Sequence, residues 1–72
     1  MRNQKYRAHI QAADIELPVD ITLERRDDIR FAITGRRVTM RLPLGSSPEL
    51  IRQKLGDLQV WAQKMLTEKP VL

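Results

Sequence analysis

The chain has 72 residues, 42% hydrophobic and 31% charged, with a formal net charge of +4. That length holds one small domain (1–72) and leaves no room for a second. With no cysteine and one histidine, His9, it excludes disulfide frameworks, thiolate metal sites and any zinc site that needs two histidines from one chain.

The start, Met1-Arg2-Asn3-Gln4-Lys5, is not followed by an apolar stretch, so it does not read as a secretory signal. No apolar run reaches the ~20 residues that span a bilayer. The expectation is a cytoplasmic protein with no membrane contact and loose tails at 1–4 and 69–72. Residues 6–12 alternate weakly, Tyr6, Ala8, Ile10 and Ala12 against Arg7, His9 and Gln11; this is an edge strand or a short extended arm. Pro18 fits a strand start or a connection rather than the middle of a central strand. Three clearer period-2 patterns follow: Val19, Ile21 and Leu23; Ile29, Phe31 and Ile33; Val38, Met40 and Leu42. Each is the mark of a strand with one wet face.

Pairing can be tested by asking which register puts every apolar residue on one face. A two-residue type II′ turn at Gly35-Arg36, glycine first, pairs Thr34 with Arg37, Ile33 with Val38, Phe31 with Met40 and Ile29 with Leu42. For the preceding connection, a three-residue loop Arg25-Arg26-Asp27 sets Leu23 opposite Ile29, Ile21 opposite Phe31 and Val19 opposite Ile33. Pro43, Leu44 and Gly45 then end the strand. Either Ser46 and Glu49 form a capping box, or Ser47 caps with Pro48 at the first helical position. The helix runs from about residue 48 to about Thr67, with an apolar stripe of Ile51, Leu55, Leu58, Ala62, Met65 and Leu66 widened by Leu50 and Trp61. Arg52, Gln59 and Gln63 face away, and Gly56 costs about 1 kcal/mol relative to alanine unless it brings the helix close to the sheet. The expected fold class is α+β: an antiparallel three- to four-stranded meander with one C-terminal helix packed on one face (βββα).

The charge is concentrated. Residues 25–41 carry Arg25, Arg26, Arg30, Arg36, Arg37 and Arg41 against Asp27 and Asp28, which equals the +4 of the whole chain. In the expected register Arg30 and Arg41 lie opposite each other on the outer face, Arg37 continues the row and Arg36 stands at the hairpin tip. Like charges across a strand pair are unfavourable unless neutralised, and a phosphate neutralises them; β-sheet readers of DNA are known. Arg30, Arg36, Arg37 and Arg41 are therefore candidate polyanion contacts. Against this, Asp20 and Glu24 lie within diagonal reach of Arg30, and the outer face has no aromatic on which single-stranded bases would stack. Trp61, on the shoulder of the helix stripe, is core or a candidate contact for a protein partner.

Catalysis has little to work with. His9 stands alone, Ser46 and Ser47 read as helix caps, Asp27 and Asp28 sit in a turn, and Gly35, Gly45 and Gly56 are scattered rather than gathered into a phosphate loop. No catalytic, cofactor or metal residue is assigned, and no cofactor is expected in this chain.

The segment Ile21-Thr22-Leu23-Glu24-Arg25-Arg26, two short alternating strands, Arg41-Leu42-Pro43-Leu44-Gly45-Ser46-Ser47, an acidic helix start and Lys54 through Trp61 together resemble the N-terminal, non-catalytic region of the YgjP-like zinc-metallopeptidase family. The resemblance covers residues 15–68. Ala62 departs from it, standing where the family carries a bulky aliphatic, and the first hairpin loop is compact. The His-Glu-x-x-His motif, which in the family lies C-terminal to this region, does not occur here, so no catalytic residue carries over. The resemblance implies an accessory module of a metal-dependent hydrolase, packing on or positioning a catalytic domain absent from this chain, with zinc bound in that other domain. The alternative is a basic β-sheet module that binds nucleic acid through its outer-face arginines.

Overall fold

The computed structural model describes residues 2–68. Four strands precede one helix: β1 (Gln4–Ala12), β2 (Ile15–Glu24), β3 (Arg30–Thr34), β4 (Arg37–Pro43) and α1 (Pro48–Glu68). The strands form one mixed sheet in the order β1-β2-β4-β3, and the helix packs on one face of it, an α+β fold of the expected class. Of the expected tails, Met1 and residues 69–72 lie outside the described residues, and Gln4 begins β1.

Two antiparallel hairpins make up the sheet. In the first, the 6–12 segment is an edge strand, paired from Gln4↔Leu23 to Ala12↔Ile15. Its turn is Ala13-Asp14, with φ of 52° and 65°. Positive φ at both central residues is the type I′ geometry that suits strand twist, although alanine enters it at a steric cost. Pro18 lies inside β2, at a point where the strand has one neighbour, because the register with β4 begins only at Val19; no second ladder asks for its missing N–H. The second hairpin follows the sequence arithmetic. Thr34 pairs with Arg37, Ile33 with Val38, Phe31 with Met40 and Arg30 with Arg41, around Gly35 at φ 62°, and the ladder stops before Ile29.

The meander is corrected. β2 does not pair with β3; it pairs in parallel with β4, from Val19↔Val38 through Leu23↔Leu42 to Glu24↔Pro43. The expected Leu23–Ile29, Ile21–Phe31 and Val19–Ile33 pairs are therefore absent, and residues 25–29 are a crossover rather than a hairpin loop. Geometry allows this: five extended residues reach about 17 Å, whereas the step over one intervening strand is about 10 Å. Burial favours it. β4 offers Val38, Met40 and Leu42, all with no exposed area, while β3 presents the half-buried Phe31 and Ile33. A central strand has its face covered most completely, so the more apolar strand gains most by taking that place.

The helix begins as one of the two expected caps describes. The Leu50 N–H donates to Ser47 Oγ at 3.1 Å, and the Ile51 N–H to the Ser47 carbonyl at 3.0 Å. Ser46 forms no capping box; its hydroxyl donates to the Pro43 carbonyl at 2.7 Å and helps hold the corner where Gly45 sits at φ 84°. Leu58 and Ala62 are buried completely, and Ile51, Leu55, Trp61 and Leu66 pack around them. A Cβ on Gly56 would meet nothing within 4 Å, so no close approach requires that glycine. The core fills the space between helix and sheet: Ile10, Ala12, Leu17, Val19, Ile21 and Leu23 from the first hairpin, and Val38, Met40 and Leu42 from β4.

Candidate functional site

The helix does not cover the inner face evenly. Beyond its first turns, at the start of β1, an open groove of about 500 Å³ is lined by Gln4, Tyr6, Leu23, Pro48, Ile51 and Leu55, with Arg52 as the charged group at its rim. The parity of β1 puts Tyr6 in the row Tyr6, Ile21, Met40, Phe31 that crosses the inner face. Tyr6 is 49% exposed, and its hydroxyl donates to Gln4 Oε1 at 3.2 Å. Toward the other end of β1 the helix touches the edge strand: the Gln11 N–H donates to Gln59 Oε1 at 3.3 Å. Gln59, expected to face away, thereby covers part of an edge that would otherwise invite strand pairing.

On the opposite face no element covers the sheet. Lys5, Thr22, Arg41 and Arg30 form one row across the four strands, and Arg7, Asp20, Thr39 and Ala32 the next. Asp20 lies between Arg7 at 3.4 Å and Arg37 at 3.7 Å. Glu24 accepts from Arg26 at 2.7 Å and Arg41 at 3.1 Å. Asp28 pairs with Arg26 at 2.9 Å and Arg30 at 3.3 Å. The crossover is thus clamped by Arg26, which joins Glu24 at the end of β2 to Asp28, two residues before β3. The hydrogen bond from Arg26 holds the Asp28 carboxyl below its ordinary value, its desolvation opposing and the Arg26 charge and Arg30 contact assisting; Arg26 is correspondingly raised, chiefly by the same bond.

The expected residues separate into two groups. Arg30 and Arg41 do face each other across β3 and β4. Each takes its own carboxylate, Asp28 and Glu24, rather than the expected diagonal pairing of Arg30 with Asp20 or Glu24. Arg37 and Arg41 line an open hollow on the outer face, together with Lys5 and Arg7 from β1. Arg30 and Arg36 do not line it. Lys5 and Arg7 were missed because their place depends on the β1–β2 pairing; the alternation of Lys5, Arg7, His9 and Gln11 was the available signal. Trp61 is half-buried against Phe31, ring centroids 5.7 Å apart and planes tilted by 52°, and it lies outside the lining of the apolar groove.

The possible chemical groups are dispersed. His9 is exposed opposite Pro18, and among the described residues no hydrogen bond joins it to Ser46 or Ser47, whose hydroxyls serve the corner and the cap. Among the described residues no three of His, Cys, Asp or Glu converge as a metal site would require. No helix among them is long and apolar enough to cross a membrane. Compared with known proteins, the chain matches no family model, no curated protein and no solved structure.

Proposed function

We propose that this chain is a non-catalytic interaction module whose binding surface is the apolar groove between β1 and the first turns of α1. One observation carries the reading: Tyr6, Leu23, Pro48, Ile51 and Leu55 line an open, largely apolar groove with Arg52 beside them. An occupant that fits is an apolar protein segment flanked by a carboxylate, the apolar part displacing water from the groove and the carboxylate meeting Arg52. In line with the resemblance to the YgjP-like zinc metallopeptidases, the partner is the catalytic domain of a metal-dependent hydrolase, which would hold the zinc. A cytoplasmic location belongs to the same proposal and is supported by the absence of cysteine.

The test is a titration of the isotopically labelled chain with a purified YgjP-like catalytic domain, followed by amide chemical shifts. Shifts should gather at Gln4, Tyr6, Leu23, Ile51, Arg52 and Leu55. The exposed-site variants Tyr6→Ser and Arg52→Glu should each weaken binding by roughly tenfold, the scale of a hot-spot contact. No shifts, or shifts confined to the outer face of the sheet, would refute the reading.

A further inference from the structure

The uncovered face of the sheet has the chemistry of a different ligand. Its centre is a floor of short side chains, Thr22 and Thr39 with the Asp20 carboxylate beside them, which lets a ligand approach the sheet closely. Around it stand Lys5 and Arg7 on β1 and Arg37 and Arg41 on β4, bordering a hollow of about 500 Å³. β1 and β4 flank β2, so these two sets of cations rise from strands about 10 Å apart. A sugar–phosphate strand lies between them without having to enter a closed pocket.

The ion pairs leave this face under-neutralised. Asp20 is shared by Arg7 and Arg37, Glu24 by Arg26 and Arg41, and Asp28 by Arg26 and Arg30. Five guanidiniums therefore divide three carboxylates, and among the described residues Lys5 has no carboxylate within ion-pair distance. The side chains of Arg7, Arg37 and Arg41 remain 81%, 70% and 50% exposed, leaving guanidinium donors facing solvent. Bidentate binding of phosphate oxygens uses such donors. The shared carboxylates hold the arginines side by side before any ligand arrives, so less side-chain freedom is lost on binding.

From this arrangement we infer that the outer face, centred on Lys5, Arg7, Arg37 and Arg41, binds the phosphate backbone of double-stranded nucleic acid without reading its bases. The site has no aromatic side chain rising from the outer face, so it lacks the stacking platform that single strands require. A duplex presents the denser charge, about one negative charge per 1.7 Å of axis. The site is shifted from the hairpin tip toward β1, and it is independent of the apolar groove on the other face.

The experiment is fluorescence anisotropy of the 72-residue chain with a labelled 20-base-pair duplex of arbitrary sequence. With about four phosphates neutralised, affinity should fall roughly 100-fold between 50 and 200 mM salt. Lys5→Gln, Arg7→Gln, Arg37→Gln and Arg41→Gln should each lower the salt slope by about one, while Lys64→Gln on the helix leaves it unchanged. Asp20→Asn removes the carboxylate in the hollow and should tighten duplex binding about tenfold at 50 mM salt, a gain that an unfolded variant does not produce. The inference is overturned by absence of duplex binding at 50 mM salt, by equal losses from Lys64→Gln and Arg37→Gln, or by weaker duplex binding in Asp20→Asn. It is likewise overturned if the corresponding single strand, or vesicles containing phosphatidylserine, bind more tightly than the duplex.

Discussion

The two faces of the sheet come from the same four strands and differ at every second residue. Toward the helix, Val19, Val38, Met40 and Leu42 have lost all their exposed area. One residue along, Asp20, Arg37, Thr39 and Arg41 remain wholly or partly accessible. The inner face is where stability is gathered, because burial of apolar surface scales with area removed from water. The outer face contributes little to folding, since exposed ion pairs are worth at most about 1 kcal/mol each. It is correspondingly free to carry cations that a ligand needs. Alternation thus separates the residues that hold the fold from those that face a partner.

The largest effects should break this comparison from the inner side. Met40→Ala or Leu58→Ala should cost about 2–5 kcal/mol. A domain of this size has roughly 4–11 kcal/mol in all, so urea denaturation should show much of the stability gone. Thr39→Ala, adjacent to Met40 but on the outer face, should stay within about 0.5 kcal/mol; a loss comparable with that of Met40→Ala would mean the two faces are not energetically distinct. Next in size, Ser47→Ala removes the acceptor for the Leu50 N–H and should lower stability by about 1 kcal/mol. Of similar size and opposite sign, the double variant Ala13→Asn, Asp14→Gly gives the β1–β2 turn the residues that type I′ geometry favours, and should raise stability by about 1 kcal/mol.

The smallest effect sharpens the outer face. Asp28 is held below its ordinary value near 3.8, first by its hydrogen bond from Arg26. The stabilisation this represents is complete above the unfolded value and disappears as the pH falls through the lower folded one. Asp28→Asn should therefore be less stable than the parent chain near neutrality, and the gap should close on acidification from about pH 5 to pH 2. A gap independent of pH would mean that Asp28 acts through shape rather than charge.

Much of the fold is legible in the alternation and the helix signals. Val19 to Leu23, Phe31 to Ile33 and Val38 to Leu42 announce strands, and Ser47-Pro48 announces the helix. Gly35 fixes the β3–β4 register because a two-residue loop leaves one pairing. The order of strands is not legible in the same way. Leu23 meets an apolar neighbour whether Ile29 or Leu42 lies beside it, so both sheets satisfy the one-face rule. What decides is which strand has more apolar area to cover, a property of the assembled sheet. The candidate anion site inherits this difficulty. Arg37 and Arg41 stand out from the basic composition of the hairpin, whereas Lys5 and Arg7 join them only once β1 lies beside β2. The Ala13-Asp14 turn that brings β1 there lacks the glycine or asparagine that ordinarily marks such a turn.

The parallel ladder between β2 and β4 also sets an order of events in folding. Each hairpin closes over a two-residue turn, and local closures of this kind take microseconds. The β2–β4 ladder joins residues 19 apart in sequence, Val19 to Val38 and onward, and it forms only when the second hairpin swings round with β4 inward. We expect the seam to be the last contact made and the step that limits the rate. Substitutions at Leu42, which pairs with Leu23 across the seam and lies beyond the β3–β4 ladder, should then appear mainly in the unfolding rate, and those that strengthen either turn mainly in the folding rate.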